Sequence, residues 1–125
     1  MVLPPLLQEH INFLISQGYT IEVKEDQTIC ITFKGYSIPN NIWDRDRVDL
    51  LVIAHPTYPN AKMDMFWVDP PISLKSGTQA QAVSQDNQCG KTWQRFSWHL
   101  ASWNPNHDNL ITYLHDVNER LNKAK

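Results

Sequence analysis

Apolar residues in PPLLQEHINFLISQG recur at helical spacing, so that Leu7, Ile11, Leu14 and Ile15 share one face. With proline near the first turn and Gly18 at the stop, this spacing predicts an amphipathic helix over residues 4–17. The period then changes to two. YTIEVK puts Tyr19, Ile21 and Val23 on one side, and TICITF does the same with Ile29, Ile31 and Phe33. Glu25-Asp26-Gln27 between them reads as a turn, which makes the pair a hairpin. After a connection from Gly35 to Asp46, VDLLVIA is a short apolar strand closed by HPTYPN, and MDMFWV supplies another strand before Pro70-Pro71. The expected order to this point is an N-terminal helix and a four-stranded antiparallel meander.

The pattern then lapses. SLKSGTQAQAVSQDNQCGKT has almost no large apolar side chain and reads as a long loop with Cys89 near its end. Loops of this length are uncommon in compact domains and usually functional. TWQRFSWHLASW is aromatic again, and Trp93, Phe96, Trp98 and Trp103 are expected to build core beneath the loop, a cargo-binding platform being the sharper alternative. From Asn106 onward, Leu110, Ile111, Leu114, Val117 and Leu121 repeat at helical spacing. They predict a C-terminal helix with Asn104 or Asn106 as its cap and Asp108 at its positive end. No repeat or linker divides the chain, so one α+β domain over residues 1–125 is expected.

Composition narrows the function classes. A hydrophobic share of 42% with five Trp, four Tyr and four Phe argues for a packed core, and 11 basic against 13 acidic residues leave a net charge of −2. The basic residues are scattered among acids, not arranged in a stripe, so neither nucleic acid nor an anionic membrane is expected as a partner. No apolar run approaches the ~20 residues that span a bilayer, and the start lacks an export signal. The two cysteines, Cys30 and Cys89, lie far apart and outside any C-x-x-C pair, so a reduced, cytoplasmic setting fits best. Cys30 falls on the strand face opposite Ile29 and Ile31 and reads as packing. His10, His107 and His115 lie on expected helices without ligand-like spacing, so no metal or cofactor is expected.

Residue types alone leave Cys89 open to two readings, a chance surface thiol or a nucleophile. Gln88 and Gly90 leave it accessible, and Lys91 adds a positive charge that favours thiolate. The order of elements, with Tyr58-Pro59, Asp64-Met65-Phe66, Cys89, Trp93-Gln94-x-Phe96-Ser97-x-His99, Trp103-x-Pro105, Asp108-x-Leu110 and Tyr113-Leu114, resembles the bacterial ubiquitin-conjugating-like proteins called prokaryotic ubiquitin-conjugating family E. The resemblance covers nearly the whole chain. It implies a ubiquitin-conjugating-like fold and a transferase that carries a ubiquitin-like protein as a thioester on Cys89. In that family a histidine C-terminal to the cysteine takes the place of the eukaryotic His-Pro-Asn tripeptide, which here implies His99 as base or oxyanion donor. Asp64, Lys91 and Trp93 would support the site, Asp64 by holding the turn or the loop. The implied partners are a ubiquitin-like protein, an activating enzyme and a target protein, and such genes often stand in bacterial defence operons, antiphage defence included. His55-Pro56-Thr57 imitates the missing tripeptide but lies far upstream of Cys89 and reads as a strand-end turn.

Two other functions compete. One is a catalytically inactive module that binds a ubiquitin-like protein without carrying it, which would be marked by loss of the loop cysteine. The other is a Cys-His hydrolase, against which no third residue is clearly placed to orient His99.

Overall fold

A computed structural model of the chain describes residues 3–25, 28–77, 83–97 and 103–123. The first helix, α1, runs Pro5–Ser16, with Pro5 at its first position, where a missing N–H costs nothing, and it buries Leu7, Ile11 and Leu14. Four strands follow: β1 Thr20–Glu25, β2 Ile29–Ser37, β3 Arg47–Ala54 and β4 Phe66–Asp69. They pair antiparallel in sequence order. These are the four strands of the expected meander.

Two more strands form a hairpin: β5 Val83–Gln88 lies inside the segment expected to be a long loop, and β6 Lys91–Phe96 runs from its last two residues into the aromatic segment that follows. β6 docks on β4 through Phe66–Phe96, Trp67–Arg95 and Val68–Gln94, which gives one six-stranded sheet in the order β1-β2-β3-β4-β6-β5. Alternation in β6 is visible in retrospect, with Trp93 and Phe96 buried on opposite faces. β5 is the outer edge strand and is polar along its length, so it carries no hydrophobic period to detect.

The second helix, α2, runs Leu110–Lys123 and begins later than expected. Neither Asn104 nor Asn106 caps it. Asn109 does, its Oδ1 accepting from the N–H groups of Ile111 and Thr112 at 2.8 and 3.1 Å. Asn104 closes the preceding turn, accepting from Asn106 N–H, while Asp108 accepts from Asn104 N–H, so Asp108 and His107 both lie outside the helix.

Both helices pack on one face of the sheet. Leu7, Ile11 and Leu14 of α1 and Leu110, Tyr113, Leu114, Val117 and Leu121 of α2 meet Ile29, Ile31, Phe33, Leu50, Val52, Phe66, Val68 and Phe96 in one core. Among the described residues, the opposite face carries no helix. A small cluster of Cys30, Leu51, Trp67 and Trp93 is buried there, with Ile53, Met65 and Cys89 against it. Phe96 and Trp103 therefore belong to the main core and Trp93 to the other face, so the expected single aromatic cluster is divided by the sheet; Trp98 lies outside the described residues. Among the described residues, no helix is long and apolar enough to cross a membrane.

Candidate active site

The site is built on the face away from the helices, around the β5–β6 turn. Cys89 and Gly90 occupy that turn with φ of 55° and 79°. Two consecutive left-handed residues are what a two-residue hairpin turn needs to match the twist of its strands. Gly90 meets this need without a side chain. Cys89 meets it at a cost on the order of 1 kcal/mol, because its Cβ crowds the following carbonyl. Gly90 is also crowded, since a Cβ there would come within 3.3 Å of Lys24 Nζ.

Cys89 is covalently bonded to Cys30 on β2, with Cα atoms 6.5 Å apart. β2 and β6 are separated in the sheet by β3 and β4, a span of about 14 Å at the usual strand spacing. The hairpin tip therefore has to fold back over the sheet to reach Cys30. It is free to do so because β6 pairs with β4 only from Gln94 to Phe96. Trp93 anchors the crossing: its ring is buried in the small cluster and its Nε1 donates to Gln88 O at 3.0 Å. The expectations that Cys89 lies in a long loop and that Cys30 is only packing are both corrected. Alternation put Cys30 on the correct face, but sequence spacing cannot show that a hairpin tip crosses that face to meet it.

Around the two sulfurs is an open depression of about 520 Å³ lined by Glu22, Val23, Lys24, Thr32, Lys34, Lys91 and Trp93. Its three lysines differ in their engagements. Lys34 is held by Asp49 at 2.9 Å and by Glu22 at 3.7 Å, and the bond from Asp49 holds its ammonium above the ordinary lysine range. Lys91 pairs with Asp69 at 2.9 Å and lies over the Trp93 ring, 4.5 Å from its centroid. Lys24 stands directly opposite Cys30 in the β1–β2 register, and its Nζ donates to the Cys89 carbonyl at 3.3 Å. The cation expected next to Cys89 was Lys91. Lys24 is the one that bonds it, and only strand register could have revealed this.

Asp86 ties the hairpin to the sheet. Its Oδ2 accepts from Trp67 Nε1 at 2.9 Å and Gln88 Nε2 at 3.1 Å, with Arg95 Nη1 at 3.7 Å. The indole donor, outweighing partial burial and helped by Gln88 and Arg95, holds the carboxyl below the usual carboxylate range. A carboxylate depressed in this way contributes stability that is present above its unfolded value of about 4 and lost as pH falls through the lower folded value. Asp86→Asn is expected to cost about 1 kcal/mol at pH 6. In urea titrations at a series of pH values, the gap between wild type and variant should close below about pH 4. A gap independent of pH would contradict the assigned charge.

The remaining candidates are placed as follows. His99 lies outside the described residues. Asp64 does not line the depression. It is near Tyr113, whose hydroxyl is raised well above the tyrosine range by burial first and by the charges of Asp64 and Asp116 second. His55-Pro56-Thr57 forms a turn after β3 in which Tyr58 N–H donates to His55 O at 2.9 Å. Several residues that carry the family pattern meet on the helix side of the sheet. The Tyr58 hydroxyl accepts from Leu110 N–H at 2.6 Å and bonds His10 Nδ1 at 2.7 Å, and burial pushes it up to about 12. Trp103 Nε1 donates to Pro59 O at 2.8 Å, and the Tyr113 hydroxyl donates to Met65 O. These bonds join the 58–66 segment to the start of α2, so much of the pattern describes scaffold and not chemistry.

No curated protein and no solved structure matches the chain. The model of the family described as Prokaryotic E2 family E, however, matches residues 6–124. That span takes in α1 from its second residue, α2, all six strands and both cysteines. With an α+β fold built on an antiparallel sheet and a cysteine presented at a turn, the chain belongs to Prokaryotic E2 family E.

Proposed function

We propose that the reduced protein, acting as a single domain, carries a ubiquitin-like protein as a thioester on Cys89. The observation that carries this reading is the position of Cys89, at the tip of a hairpin and opening on the depression between Lys24, Lys91 and Trp93. In the first step the Cys89 thiolate attacks the thioester carbonyl held by an activating enzyme, and that enzyme's thiol leaves. In the second step an amine or other nucleophile on a target protein attacks the new thioester, loses its proton to a base, and Cys89 leaves as thiolate. The depression suits an extended peptide tail, which would pass between Lys24, Lys91 and Trp93. His99 is proposed as the base or oxyanion donor. Because β6 sets about 17 Å of extended chain between Lys91 and Phe96, this role is tested separately from that of Cys89. A reducing, cytoplasmic setting, and service in bacterial antiphage defence, belong to the same proposal.

The test uses the reduced full chain with a cognate activating enzyme, ATP and the ubiquitin-like protein. A thiol-sensitive adduct is expected for wild type and none for Cys89→Ala, while His99→Gln should load normally and discharge to amine more slowly, by roughly 10²-fold. An adduct that survives Cys89→Ala would overturn the site. The Cys30–Cys89 bond favours a second reading, a ubiquitin-like-binding module without transfer. That reading predicts binding of the ubiquitin-like protein with no adduct even after reduction.

A further inference from the structure

We propose that Cys30 is the resolving partner of Cys89 in a reversible thiol–disulfide switch, with a low-molecular-weight disulfide as oxidant. The proposal rests on the thioester reading for what the switch controls, but the exchange chemistry stands on the geometry of the pair. Cys30 is 4% exposed with Cys89 bonded over it, on a strand paired on both sides, and it lines the same depression as Cys89. Cys89 is only partly buried, at a turn that opens on the depression. Cys89 is therefore the more exposed of the two, and Cys30 the more deeply set. The Lys24 ammonium, opposite Cys30 in register and bonded to the Cys89 carbonyl, places positive charge beside both and favours the attacking thiolate.

The steps balance as two exchanges. The Cys89 thiolate attacks one sulfur of the small disulfide, forming a mixed disulfide and expelling one small thiolate. Cys30 then gives up its proton, its thiolate attacks the Cys89 sulfur, the Cys30–Cys89 bond forms, and the second small thiolate leaves. Two protein thiols are oxidised by two electrons, the small disulfide is reduced to two thiols, and the two thiol protons end on the products. Reversal begins with a small thiol attacking Cys89, the accessible sulfur, with Cys30 as leaving group. Little of the fold has to open for this. The tip lies beyond the last β4–β6 pair, so Cys89 can separate from Cys30 while Gln94–Phe96 stay in the sheet. While the bond is closed, Cys89 has no thiolate with which to accept a ubiquitin-like protein.

The full-length protein, reduced and then exposed to glutathione disulfide, tests this by intact mass under native conditions. Wild type is expected to lose two hydrogens with little accumulated adduct. Cys30→Ser should instead hold one glutathione on Cys89, releasing it at least roughly 10²-fold more slowly than wild type passes through that stage. Cys89→Ser should stay unmodified while folded. Glutathione should reopen the wild-type bond without loss of the folded circular dichroism signal and restore loading. The switch is overturned if Cys89→Ser is glutathionylated on Cys30 as fast as wild type is on Cys89, or if the wild-type bond opens only on unfolding. Exchange that proceeds as expected in a protein that never loads supports the switch and removes the thioester reading, so the two fail separately.

Discussion

Replacing Trp43 by alanine is expected to lower the unfolding free energy by about 3–5 kcal/mol, a large part of what a domain of this size possesses. Trp43 lies in the connection between β2 and β3, yet it is fully buried. Its ring meets Phe96 edge-on at 6.0 Å, and Phe96 in turn stacks on Phe66 at 4.8 Å, so the indole closes an aromatic column that rises from β4 and β6. Its Nε1 also donates to Leu121 O at 2.8 Å, satisfying a carbonyl in the last turn of α2. Alanine would leave a cavity at the centre of the helix-covered face and orphan that carbonyl. Trp43→Phe separates the two effects: it keeps most of the ring volume and should cost only about 1–3 kcal/mol, the share of the unpaired carbonyl and a smaller void. Urea unfolding of both variants checks the order. An alanine variant within 1 kcal/mol of wild type would mean that the connection is not part of the core.

Reducing the Cys30–Cys89 bond is expected to lower stability by about 4 kcal/mol, because a closed loop spanning a sequence separation of 59 restricts the unfolded chain by about that much. The effect acts chiefly on the unfolded state, so the folded sheet should remain and the unfolding midpoint move. The measurement is urea unfolding with and without a reductant, with Cys30→Ser as control. Wild type should shift to lower denaturant on reduction, and the control should start low and not move. A wild type indifferent to reductant would show that the bond is absent in solution.

The first half of the fold was legible because its residues obey one period each. α1 and β1 to β4 fell within a few residues of their expected places, since each carries apolar side chains in a readable pattern, although β1 leaves Val23 exposed. β5 and β6 were missed for the opposite reason. β5 buries no large apolar side chain, and β6 divides its aromatic residues between two different environments, so neither offers a uniform apolar face. A local signal was present in Cys89-Gly90, since glycine second in a two-residue turn between alternating segments marks a hairpin. At the site, Cys89 could be singled out from the order of elements. Cys30 and Lys24 could not, because both reach Cys89 through register and a crossing tip, which are properties of strand pairing and not of sequence distance.

The left-handed turn at Cys89 and Gly90 has a consequence for how the scaffold and its chemistry can part company. In a reducing environment the hairpin asks of its first turn residue only that it tolerate positive φ, and asparagine, aspartate or glycine do so better than cysteine. With the disulfide already open, a single substitution at position 89 would thus remove the proposed nucleophile while relaxing the backbone, leaving a folded protein no less stable than the reduced one. Where the two thiols are kept reduced, loss of the Cys89 thiol would go unpunished by folding, so the proposed transfer chemistry could be lost from this scaffold without an unstable intermediate.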